Sequence, residues 1–169
     1  MEEEERMIAY GLQKIKGVYG EEIKKIFDRE VIVPSVPFPK ISMAEAKEIL
    51  SARGIISERE GDLSPEEERA ISDYVKEKHN HEFVFITEYP SAVRPFYHML
   101  NENDKTLTKS FDLLWNGLEI TTGAQREHRY DVLVAQAKKK KMNVKKLQFY
   151  LDFFKYGCPP HGGYGMGPN

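Results

Sequence analysis

Apolar side chains recur three and four positions apart near the start of the chain, at Ile8, Leu12, Ile15, Tyr19 and Ile23. That is the repeat of one helix face, and it predicts an amphipathic helix from Glu2 to about Phe27. The acidic residues crowding its first turn suit the positive end of the helix dipole. Gly17 and Gly20 weaken the second half and allow a break there. Val33 to Pro39 holds three prolines, which remove donors and fix φ, so an extended connector is expected. Ser42 with Glu45 forms a capping box that opens a short helix through about Arg53, and Gly54 stops it. Ser64, Pro65 and Glu67 open another through about Lys78.

The period changes at Glu82. Phe83 to Tyr89 is rich in aromatic and β-branched residues and predicts a strand; Phe96 to Met99 is a candidate second. Lys109–Trp115 and Leu118–Gln125 flank Asn116-Gly117, a strong two-residue hairpin signal. Two helices follow, about Tyr130–Lys141 and Val144–Lys155, the second capped by Asn143. The segment from Gly157 to Asn169 is too rich in glycine and proline for regular structure by local rules. Helices, then an antiparallel meander, then helices again imply an α+β fold within 1–169, with 1–80 mainly helical and 81–169 carrying the strands, two helices and the glycine-rich tail.

With 40% apolar and 31% charged residues among 169, the composition is that of a soluble domain with one core. A net charge of −2 neither demands nor excludes nucleic acid. One cysteine, Cys158, rules out an internal disulfide and fits a cytoplasmic location. The acidic N-terminus is unlike a signal peptide, and no apolar run approaches the roughly 20 residues that span a bilayer. The five histidines show no recognisable metal spacing. Lys138–Lys141 is either a solvated helix end or a contact for RNA phosphates.

The hairpin carries the candidate chemistry. A two-residue loop pairs Trp115 with Leu118, Leu114 with Glu119 and Asp112 with Thr121. Opposed residues share a face, so Asp112, Leu114, Glu119 and Thr121 should point the same way. Two neighbouring carboxylates repel unless a cation lies near them, and an all-oxygen site suits Mg²⁺; the alternative is that both face water. Strict alternation puts Arg126 on the opposite face from Glu119. A bulge, for which Gly123 is a natural place, would bring it round. An arginine fork there could grip a carboxylate in bidentate fashion.

The run Ser110 to Asp131, with Val93-Arg-Pro-Phe-Tyr97 upstream and Phe149 to Gly167 downstream, resembles the active-site sheet of archaeal-type aspartyl-tRNA synthetases of class II. The resemblance covers essentially the whole chain. It implies that Asp112 and Glu119 hold Mg²⁺ on ATP and that Arg126 grips the substrate aspartate. It implies that Thr122 to Gln125, including Gly123 and Gln125, floors the amino-acid pocket and that Arg94 and Tyr97 border it. Gly165 and Gly167 would approach the adenylate, where only glycine allows such closeness. Aspartate, ATP and tRNA are the implied partners, with a homodimer as the complete enzyme. Ala124 departs from the glycine more usual in the family and narrows the pocket floor.

Class II enzymes carry three signature motifs. The first two and the arginine of the third are not found in this sequence, which holds Gly165-Met-Gly-Pro-Asn169 of the third. Without those cations the transition-state charge loses much of its stabilisation, so the chain by itself is expected to be a fragment that does not activate aspartate. Two further readings stay open: a synthetase-like paralogue that makes asparagine, and a non-catalytic binding or regulatory protein.

Overall fold

The computed structural model describes residues 1–57 and 59–167. Pro168 and Asn169, which end the third-motif match, lie outside the described residues. The architecture is α+β: one five-stranded sheet with helices on its faces and at one end.

Helix α1 (Glu2–Phe27) is continuous over 26 residues, so neither glycine breaks it. The space where a Gly17 side chain would stand is empty, and the helix tolerates the propensity cost of about 1 kcal/mol per glycine. Its apolar stripe is used only in part: Ile8 and Leu12 pack on the sheet, while Ile15 and Tyr19 stay exposed. The connector leads into β1 (Lys40–Ser42), too short for its pattern to announce. Ser42 then caps α2 (Met43–Ala52), and Ser64 caps α3 (Pro65–His79), each through a full capping box. In the second box Glu67 is buried and also accepts from Lys47 at 3.0 Å.

Strand β2 (Phe83–Thr87) runs parallel to β1 and antiparallel to β3 (Ser110–Trp115). The hairpin turn joins β3 to β4 (Leu118–Arg126), with Asn116 at φ 52° and Gly117 at φ 84°. A side chain on Gly117 would meet the Cα of Arg69 at 2.9 Å, so glycine is required there by conformation and by contact. Phe96–Met99 is not a strand. It makes an isolated bridge through His98 to Arg126, and the Met99 amide bonds the Gln125 carbonyl at 2.9 Å. Helix α4 (Tyr130–Lys139) ends two residues early, and α5 (Gln148–Lys155) starts four residues late. Asn143 caps the intervening turn instead, accepting from the Lys146 amide at 3.3 Å.

The expectation of an irregular tail is overturned for His161–Met166, which form β5, antiparallel to β4 along its outer side, giving the order β1-β2-β3-β4-β5. Local propensity opposes a strand so rich in glycine; ladder bonds to β4 override it. Gly162 lies so close to β4 that a Cβ would sit 3.0 Å from the Ala124 carbonyl.

One sheet face buries Ile41, Val84, Ile86 and Leu114 against α2 and α3. The other buries Phe83, Phe85 and Leu113 against Phe38 and the first half of α1. A third cluster, Phe96, Leu133, Ala137, Leu151 and Phe154, fixes α4 and α5 beside the Phe96 loop. At roughly 25 cal/mol per Å² of apolar area removed from water, these clusters are the main drive for folding.

Candidate functional site

The site depends on one irregularity. Leu114 pairs with Glu119 as alternation requires, but the next pair is Leu113 with Thr121, leaving Ile120 without a partner. This bulge lies at Ile120, not at Gly123. Beyond it Asp112 pairs with Thr122, and Ser110 with Ala124. Asp112, Leu114, Glu119, Thr122, Ala124 and Arg126 therefore share the α3 face. Thr121, expected beside Asp112, lies on the α1 face. Gly123 and Gln125 also have that parity, so their side chains turn away from the carboxylates. Gly123 is needed there because a Cβ would lie 2.3 Å from the Phe111 ring. Only their backbone can contribute to a pocket floor on the Arg126 side.

Asp112 is buried, with 3% exposure. One of its oxygens accepts from Arg94, whose guanidinium lies 3.5 Å from the centre of the Tyr89 ring. The other, Oδ1, is buried with no hydrogen-bond partner, as is Arg94 Nε. The loop that brings Arg94 and Tyr97 thus divides its work. Arg94 turns to the acidic pair, and Tyr97 lies under Arg126, at 4.6 Å from ring centre to guanidinium. Among the described residues no carboxylate lies within ion-pair distance of Arg126. It is a cation without an anion, beside an aromatic face.

The electrostatics add a residue that pattern reading missed. Glu68, in the first turn of α3, is pushed up to about 7 by burial first and then by Glu119, Asp112 and Asp62. Glu119 is raised by burial and then by Asp112, with Arg94 opposing. Burial and Asp112 keep the Tyr89 phenol protonated. Asp112, Glu119 and Glu68 thus share one field with Asp62, opposed by Arg94 at Glu119 and by Arg69 at Glu68. The capping box at Ser64 sets the phase of Glu68, but only the packing of α3 on the hairpin shows which way it points.

This oxygen set fits Mg²⁺. The cation is hard, needs few protein carboxylates, and takes its remaining ligands from phosphates and water. The orphaned Asp112 Oδ1 and the unfavourably charged Glu119 are what such an ion would relieve. Gly165 lies on the same face, paired with Thr122, and the Gly167 amide bonds the Ile120 carbonyl at 3.2 Å. A Cβ at Gly165 would meet open space, so nothing within the chain itself requires glycine there.

A mostly antiparallel five-stranded sheet flanked by helices is the fold of class II synthetases, and the chain belongs to that family. Residues 1–169 match the family of tRNA synthetases class II (D, K and N). The chain is 45% identical over 163 residues to the aspartate–tRNA(Asp/Asn) ligase of Aeropyrum pernix, covering 96% of this chain and 35% of that protein. It is 42% identical to the aspartate–tRNA(Asp) ligase of Pyrococcus abyssi, again over 96% of this chain and 37% of that one. Among solved structures, an aspartyl-tRNA synthetase from Entamoeba histolytica superposes with a TM-score of 0.89 at 29% identity, over 98% of this chain and 35% of that one. An asparaginyl-tRNA synthetase from Pyrococcus horikoshii gives 0.85 at 30% identity, over 98% and 39%. The chain therefore spans little more than a third of the relatives it matches.

Proposed function

We propose that this chain supplies the aspartate- and ATP-holding part of an aspartate–tRNA ligase. The observation that carries this reading is the bulge at Ile120, which places the unpaired Arg126 on one face with Asp112 and Glu119. The Arg126 guanidinium, held on Tyr97, would take the side-chain carboxylate of aspartate in a bidentate pair. Gln125 and Gly123 would contribute backbone to the pocket floor. Asp112 and Glu119 would hold Mg²⁺ on the ATP phosphates, and the ion would supply positive charge against the developing phosphate charge. The backbone at Gly165 and Gly167 would lie along the nucleotide.

In the whole protein the α-carboxylate of aspartate attacks the α-phosphorus of ATP, breaking the bond to pyrophosphate. The aspartyl group then moves to a terminal ribose hydroxyl of tRNA. The residues named here bind and orient; none is a covalent nucleophile. A homodimer and a cytoplasmic location fit this reading, and no described helix is long and apolar enough to cross a membrane. Of the two arginines facing the site, Arg94 is committed to Asp112 and Arg126 to the amino acid. Neither is free for the α-phosphate, so the chain alone holds substrate without activating it. A bare cation that nothing neutralises favours aspartate over asparagine, whose neutral amide would leave Arg126 unpaired.

Titration calorimetry of the chain with aspartate, asparagine and Mg²⁺-ATP tests this. Aspartate should bind more tightly than asparagine, and Arg126→Ala should weaken aspartate by about 1.5–3 kcal/mol, roughly 10- to 150-fold. Equal binding of both amino acids, or no effect of Arg126→Ala, overturns the assignment. Aspartate-dependent pyrophosphate exchange by the chain alone overturns the claim that it does not activate its substrate.

A further inference from the structure

The two faces of α5 differ in what covers them. Leu151 and Phe154 are buried in the third cluster, with Leu147 and Tyr150 packed against it. The opposite stripe is aromatic and bare. Phe149 is 73% exposed, Phe153 75% and Tyr156 84%, more than any other aromatic side chain among the described residues. Steps of four and three residues put these rings on one side of the helix. The turn before α5 is closed by three-residue bonds, from the Lys146 amide to the Asn143 carbonyl and from the Leu147 amide to the Val144 carbonyl, both at 3.1 Å. Such a turn brings Lys146 to the same side as Phe149, three residues on. At the other end the Lys155 ammonium lies 5.7 Å from the centre of the Tyr156 ring. A row of water-exposed rings edged by charge marks an interaction surface.

The charge around those rings has one sign. Residues 138–156 hold seven lysines and one aspartate, a net of +6 in a chain whose own net charge is −2. The aspartate, Asp152, is half-buried and accepts from Gln148 at 2.6 Å. Among the described residues none of these lysines has a carboxylate within ion-pair distance. The exposed apolar stripe in the second half of α1 differs on both counts. It mixes Val18 and Ile26 with Tyr19 and Phe27, and charges of both signs, such as Glu21 and Lys25, lie among them. That mixture suits another protein surface. Aromatic rings among unpaired cations suit bases and phosphates.

We propose that the exposed face of α5 and the turn before it bind single-stranded RNA, with bases stacked on Phe149, Phe153 and Tyr156 and phosphates at Lys145, Lys146 and Lys155. A single strand is required because the bases of a duplex stack on one another and leave no free faces for the rings. None of these residues belongs to the aspartate and ATP site, so binding here does not rest on the function proposed above. tRNA is the RNA that function supplies.

The test is fluorescence anisotropy of a labelled oligouridylate of about twelve nucleotides, alone and annealed to its complement, titrated with the whole chain over a series of salt concentrations. Phe149→Leu/Phe153→Leu keeps the apolar area and removes the rings. Lys145→Gln/Lys146→Gln removes two cations, and Arg126→Ala alters the aspartate site instead. The α5 substitutions are at exposed positions, so circular dichroism should show the fold unchanged. The single strand should bind at low salt, more tightly than the duplex. The leucine variant should weaken it by roughly tenfold or more. The glutamine variant should reduce the slope of log affinity against log salt by roughly 1.4, and Arg126→Ala should leave binding unchanged. Absence of binding, equal binding of the duplex, an unaltered affinity in the leucine variant, or loss of binding in Arg126→Ala would each overturn the proposal. A dimer by sedimentation that the leucine variant dissociates, with RNA affinity unaltered, would overturn it in favour of a second copy of the chain.

Discussion

Removing either partner of the Arg94–Asp112 pair should unfold part of the chain's stability margin, and unequally. The side chains are 15% and 4% exposed, so solvent screens them little. Breaking a buried pair from one side typically costs 3–5 kcal/mol, because a charge is left uncompensated. Asp112→Asn leaves Arg94 near Glu119, whose pKa Arg94 already lowers, so a cost near the bottom of that range, about 3 kcal/mol, is expected. Arg94→Met strips the cation from Asp112 and Glu119 together and should cost about 5 kcal/mol. The double variant should cost far less than the roughly 8 kcal/mol sum, because each single change leaves the penalty that the other removes. Urea unfolding by circular dichroism measures this. With a slope near 2–3 kcal/mol/M, the Asp112→Asn midpoint should fall by roughly 1–1.5 M. Adding Mg²⁺ should stabilise Arg94→Met more than the parent chain, since the ion no longer competes with the guanidinium. Additive single and double effects, with no differential Mg²⁺ response, would refute the electrostatic account.

Glu68 gives a pH signature. Its folded pKa is raised from 4.5 to about 7, so the folded state binds more protons across that window and stability falls as pH rises through it. Glu68→Gln should flatten the fall and leave the protein more stable at pH 8; parallel stability–pH curves for the two proteins would contradict this. Gly117→Ala combines φ 84° with a contact to the Arg69 backbone and should cost at least about 1–2 kcal/mol by thermal melt. Ser64→Ala removes one half of the α3 capping box and should cost about 1 kcal/mol in the same assay.

What could be read from the residues alone divides along the range of the interactions. The capping boxes at Ser42 and Ser64 and the turn at Asn116-Gly117 act over three or four residues, and the helix starts and hairpin they announce are present. The strand at His161–Met166 was illegible because its glycines disfavour it locally, and only the β4 ladder, some forty residues upstream, forms it. Glu68 escaped notice because its role comes from where α3 packs. Arg94 could be placed on the right loop, but not directed to Asp112, because the choice between two nearby partners is made by side-chain packing. The bulge was foreseen in kind and misplaced in position. Gly123 looked permissive, yet it answers to the Phe111 ring, and the extra residue is an isoleucine that packs against the α1-side cluster.

The seven-residue step from Glu119 to Arg126 is an odd number, and in a two-residue repeat an odd step always ends on the wrong side. Ile120 acts as a one-letter parity change in the strand's own arithmetic. Taking it out would leave both neighbours, Glu119 and Thr121, where their partners on β3 already want them, while losing one residue from Thr122 to Gln125 with the bulge kept at Ile120 would turn Arg126 to the other side. Within a single strand, tolerance to length variation should therefore be concentrated at one position, and chains that differ in length there can still present the same face.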